Sequence, residues 1–236
     1  MTDHGSDLSE ILDETLAALA ERRAAGGAET WLSTFNDYRD LVLAAGAAAA
    51  LEREETVLRC LGDMSMAAAS MFRAYRAAAS GRPGDRGPDP TVASPGALRD
   101  MLYGFAATGQ WQEAREAAAV AVEAGALSAL DETGHEAVAA TLTALLLGAL
   151  DPRAPDTDLV RPQRLESAEV PATWRAEAAC LLALRARQAN DARAALARLS
   201  EAWQAPDAEV GIPRRLRTPL RLPERGLRAL LERPPS

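Results

Sequence analysis

The stretch from Ser94 to Gly125, SPGALRDMLYGFAATGQWQEAREAAAVAVEAG, limits what this chain can fold into more than any other. Ser94 is a residue type that caps helices, and Pro95 suits a first helical position, where a missing N–H costs nothing. Leu98, Met101, Leu102 and Phe105 then recur at helical spacing on one face. Gly109 can take the left-handed conformation that closes a helix. Trp111 opens a second one, whose Ala114, Ala117, Ala118 and Ala121 form a narrow face. Large side chains opposite alanines let two antiparallel helices approach closely, so the spacing predicts a helical hairpin.

The remaining sequence is compatible with the same construction. Hydrophobic residues make up 48% of the 236 positions but aromatics only 4%, so the core calls for closely spaced helices with few large anchors. Strand-forming residues are sparse and no stretch alternates with period two for long, which argues for an all-α fold. The reading is an all-α protein, antiparallel helical hairpins in a repeat-like array or bundle of about eight or nine helices.

In chain order, a first helix is predicted from Asp7, paired with Glu10 as a capping box, to Ala25, stopped by Gly26-Gly27. A second begins at Thr30 with Trp31, Phe35, Tyr38 and Val42 as its stripe and runs to Leu51. A third starts at Glu54-Glu55, carries Val57, Leu58, Leu61, Met64, Met71, Phe72 and Tyr75, and ends near Gly81. Residues 80–96 hold four prolines and four glycines and read as an exposed loop. The chain is therefore expected to be a single all-helical domain, 1–236, with 1–80 and 95–236 as candidate sub-bundles. Thr133 and Glu136 form another capping box, opening a helix to Leu150 so apolar that it is expected at the centre. Pro171–Asn190 and Asp191–Gln204 read as a later helical pair, and Glu224–Leu231 as a short last helix.

Charge narrows the function. All 26 basic residues are arginine, so a P-loop lysine, a Schiff-base lysine and a Ser-x-x-Lys nucleophile are excluded. A net charge of −8 argues against a nucleic-acid partner. The charge is uneven: residues 1–30 carry seven acids and two arginines, residues 211–236 seven arginines and two glutamates. The start is acidic and polar, unlike a secretory signal, and the longest apolar run, Ala137 to Leu150, is too short to span a bilayer. A cytoplasmic protein without membrane contact is expected.

Catalytic constellations are sparse. Glu132 and His135 have the Glu-x-x-His spacing of di-iron bundles, but a second copy is missing, so no metal or cofactor residues are assigned. Asn36-Asp37-Tyr38-Arg39-Asp40 is similar to acidic magnesium motifs of helical prenyl-diphosphate enzymes but lacks their partner cluster; a solvated helix face is the simpler reading. Cys60 and Cys180 sit in apolar surroundings that make a thiol inert. Trp31, Trp111, Trp174 and Trp203 read as packing residues, with a ligand groove as the other option.

Gly109 to Ala114, GQWQEA, resembles the turn of a tetratricopeptide repeat, with Leu98, Met101 and Phe105 in the large positions and Ala114 and Ala121 in the small ones. Leu102, Ala118 and Ala126 depart from that pattern, and no 34-residue period runs through the chain. Over a longer span, the Trp-containing helix, the pair after the Pro/Gly loop, LLALRARQANDARAALARLSEAW and LRLPERGLRALLE together resemble actinobacterial immunity proteins of polymorphic-toxin systems. That resemblance implies a non-enzymatic protein that neutralises a cognate toxin by binding it. The reading is thus a protein-binding module without catalytic residues, with Asp37 and Asp40 on the partner surface. An all-helical enzyme or small-ligand binder with an apolar Trp/Met-lined pocket is the alternative, and an assembly scaffold a third.

Overall fold

A computed structural model describes residues 4–26, 30–80, 91–127, 135–151, 165, 170–204 and 220–233. Among these residues it contains nine helices and no strand: α1 (His4–Ala24), α2 (Trp31–Ala50), α3 (Glu54–Ala79), α4 (Pro95–Ala107), α5 (Trp111–Glu123), α6 (His135–Leu150), α7 (Ala172–Arg185), α8 (Ala189–Ala202) and α9 (Leu222–Glu232).

The fold is arranged around α4. Its start is as the sequence dictates: Pro95 occupies the first position and the Ser94 hydroxyl accepts from the Ala97 N–H at 3.2 Å. The helix packs against α3, α5, α6 and α9, which surround it. Leu98, Met101, Leu102, Tyr103 and Phe105 are all fully buried. Burying side chains of this size contributes about 1.5–3 kcal/mol each. The α4 helix thus takes the central place expected of α6. The latter is buried along most of its length but lies between α4 and α7, with a small contact to α5. The two threonines of α6 fit that burial because their hydroxyls bond back to the carbonyls of Ala137 and Ala139, and Thr143 also reaches Pro95 O at 3.0 Å.

Three hairpins share one connector. In α2–α3, α4–α5 and α7–α8 the chain leaves a helix through Glu52, Gly109 or Arg187, each with positive φ (57°, 73° and 57°). One residue further on, the N–H of Arg53, Gln110 or Gln188 returns to the carbonyl five residues back, at 2.8–2.9 Å. This is the 6→1 bond of a Schellman ending. The next helix begins immediately.

Several boundaries differ from expectation for identifiable reasons. Helix α1 starts at His4, so Asp7 lies inside it and supplies first-turn charge rather than a cap. The break between α7 and α8 falls at 186–188, ahead of Asn190, because Arg187 takes the left-handed turn. Helix α9 begins two residues before Glu224, with Pro223 in its first turn. Leu58, expected on a buried stripe, is 39% exposed, as is Leu182 of α7. Thr133, Glu132 and the proline-rich loop at 81–90 lie outside the described residues.

Candidate functional site

Asp37 and Asp40 face the end of α1. They are one turn apart on α2, and both are held by Arg22: its Nε donates to Asp37 Oδ1 at 3.0 Å and its Nη2 to Asp40 Oδ2 at 2.5 Å. With 21% and 31% of their side-chain surface exposed, the two acids are half-buried and already engaged within the chain. Slight burial works against the charge of Arg22, but the hydrogen bonds to Asp40 and Asp37 outweigh it and raise the guanidinium pKa. Neighbouring Arg23 reaches α3 and pairs with Asp63 at 3.2 Å. The two arginines of the acidic N-terminal segment therefore both point inward and tie α1 to α2 and α3.

This arrangement leaves an open groove of about 650 Å³ where α1, α2 and α3 meet. Arg22, Asp37 and Asp63 form polar walls, and Ala25, Met66 and Ala67 give an apolar floor on which Met66 is 45% exposed. The outward side of α1 carries Asp7, Glu10 and Glu14 at three- and four-residue spacing and Glu21 two turns further on, joined by Asp13; Glu21 is next in sequence to Arg22 of the groove wall. All five are exposed, and none forms an ion pair among the described residues. The acidic stripe was legible in the sequence only as a net excess; the inward turn of Arg22 and Arg23 is what isolates it.

A second groove, of about 370 Å³, lies between α3 and α9 and is lined by Glu54, Arg221, Glu224, Arg225 and Arg228. Its charges pair with each other, Arg225 with Glu54 and Arg228 with Glu224.

A polar cluster is buried where α4 approaches α7. Tyr103 donates to Glu177 Oε1 at 2.8 Å, Arg99 Nη1 stands 3.8 Å from Glu177 Oε2, and the Arg99 guanidinium lies 5.2 Å from the centre of the Trp174 ring. Burial raises the Glu177 pKa, and the opposing effects of Arg99 and the Tyr103 hydrogen bond do not cancel it. Tyr103 is likewise pushed well up by burial. At the edge of the cluster Tyr38 donates to Asp100 at 3.0 Å. Nothing in the local sequence marks these partners, which come from positions more than 60 residues apart.

The tryptophans are dispersed. Trp203 is buried, Trp31 and Trp111 are half-buried against the core, Trp111 beneath Arg233, and Trp174 covers Arg99; none lines either groove. Cys60 and Cys180 are buried free thiols; burial raises the first and pushes the second up to about 12. Among the described residues no three His, Cys, Asp or Glu side chains gather as a metal site, and no helix is long and apolar enough to cross a membrane. The side chain of His135 and all of Glu132 lie outside the described residues.

The fold and its grooves define a class, an all-helical assembly of antiparallel hairpins. Comparison with known protein families, curated proteins and solved structures finds no match to this chain.

Proposed function

We propose that this protein is a non-enzymatic binding module that docks a basic protein partner on the α1–α2 side, in the manner of an immunity protein neutralising a cognate toxin. The observation that carries the reading is the acidic stripe along the outward side of α1, the helix whose C-terminal end forms one wall of an open groove with an exposed methionine floor. Unpaired acids on one face steer a positively charged partner and set its orientation, and the apolar floor supplies area to bury. Asp37 lines the groove, and Arg22 holds both it and Asp40, one turn on, in fixed positions. An anchor side chain of the partner, arginine or lysine, exchanges into this network in place of Arg22.

The test is capture from native lysate with the tagged protein as bait, followed by expression of the captured partner alone. A stoichiometric basic protein, toxic alone and harmless when co-expressed with this chain, is the expected result. A bait that retains no protein, or one whose captured partner is acidic and binds a bait carrying Glu10→Arg and Glu14→Arg equally well, contradicts the proposal.

A further inference from the structure

Unsatisfied polar groups converge on the first turn of α7, at a place separate from the α1–α3 groove. Pro171 precedes this helix and offers no capping side chain; its carbonyl takes the N–H groups of Trp174 and Arg175 at 3.0 and 3.1 Å, which leaves those of Ala172 and Thr173 without a side-chain acceptor among the described residues. Thr173, in that turn, is 2% exposed, and its Oγ1 has no hydrogen-bonding partner. Arg99, 6% exposed, lies over the ring of the adjacent Trp174, and its Nε and Nη1 make no hydrogen bond. Its nearest countercharge is Glu177 Oε2, at 3.8 Å from Nη1, beyond hydrogen-bonding range. The other Glu177 oxygen is taken by Tyr103. Thr173 precedes Glu177 by one turn on the same side of α7, so the idle hydroxyl and the idle guanidinium edge flank one stretch of that helix.

Leaving a buried charged donor without an acceptor is costly, and folded proteins rarely do so without an ordered water, an ion or a ligand to supply it. What the groups here have in common is that they donate: the guanidinium Nε–H, a hydroxyl, and N–H groups at the positive end of a 14-residue helix. We infer that the first turn of α7 binds a small oxyanion, a carboxylate or a phosphate, whose oxygens accept from Arg99 Nε, the Thr173 hydroxyl and the N–H groups of Ala172 and Thr173. Half-buried Trp174, its ring centre 5.2 Å from the guanidinium, covers one face of Arg99 and limits how that side chain can turn. Glu177 sets the position of Arg99 from the Nη1 side and leaves Nε to the ligand.

The experiment is thermal unfolding of the full chain titrated with sodium phosphate and, separately, sodium acetate, each against sodium chloride at equal ionic strength. A saturable rise in Tm above the chloride control is expected with one or both probes, and which of them acts identifies the source. The Thr173→Val variant, which keeps the side-chain shape, weakens the apparent affinity several-fold, and Arg99→Gln abolishes the effect. Should Arg99→Gln fail to fold, Thr173→Val alone decides. A wild-type response identical to chloride, or a rise that Thr173→Val retains in full, overturns the inference.

Discussion

The Ser65 hydroxyl of α3 donates to the carbonyl oxygen of Met101 in α4 at 3.0 Å, one turn before Gly104, where the two helices approach closely. That approach is possible because α4 has a glycine there. A Cβ on Gly104 would stand 2.2 Å from Ser65 Oγ, 2.7 Å from Met64 Cε and 3.0 Å from the backbone oxygen of Leu61. Gly104→Ala is therefore expected to cost about 2–3 kcal/mol in urea unfolding, overpacking outweighing the better helix propensity of alanine. Adding Ser65→Ala removes the nearest clash, so the double variant should lose less than the sum of the two single ones.

The shared hairpin connector predicts opposite effects at chemically different residues. Glu52 and Arg187 hold φ of 57° without being glycine, whereas Gly109 holds 73°. Glu52→Gly and Arg187→Gly should each stabilise the protein by about 0.5–1 kcal/mol, and Gly109→Ala should destabilise it by about 1 kcal/mol. Denaturant midpoints at constant m-value measure all three.

Tyr103→Phe strips Glu177 of its hydroxyl donor. The expected loss is about 2 kcal/mol at pH 7, the worth of a buried hydrogen bond to a charged group. Burial already holds the Glu177 pKa above the ordinary glutamate range. A carboxyl with a raised folded-state pKa contributes its full stability below the unfolded pKa and loses it as the pH rises through the folded one. Removing the donor raises that pKa further, so the deficit of Tyr103→Phe should widen with rising pH across the weakly acidic range and shrink below it. Equal deficits at pH 4 and pH 7 would contradict the assignment.

Cys60 and Cys180 are buried, and burial raises both thiols, Cys180 to about 12. Because the thiolate is the reacting form, alkylation of the native protein at pH 8 should label neither cysteine, while guanidinium exposes both.

What the sequence made legible follows from local signals. Ser94-Pro95 and Gly109 announce the central hairpin because a capping hydroxyl and a left-handed glycine each have a distinctive residue type. The α7–α8 break was displaced to Asn190 because Arg187 carries no mark of the left-handed turn it makes. Helix α6 reads as central from its apolarity, yet α4 takes that place with Arg99 on board, since a charge can be buried once Glu177 is brought beside it. Asp37 and Asp40 were visible as a pair on one helix. Their capture by Arg22 was not, because it depends on how the chain turns back between α1 and α2. The unsatisfied donors around Thr173 have no sequence signature, since being without a partner is a property of three-dimensional packing alone.

Docking of a partner on the α1–α2 side through Asp37 and Asp40, as proposed above, is tested most directly by the Kd of the captured partner for the wild-type chain and for Asp37→Arg/Asp40→Arg, with helical content checked by circular dichroism. A loss of at least about tenfold, equivalent to 1.4 kcal/mol, with the helical signal intact, is the result expected of charge reversal at an interface. An unchanged Kd in a folded variant would contradict it.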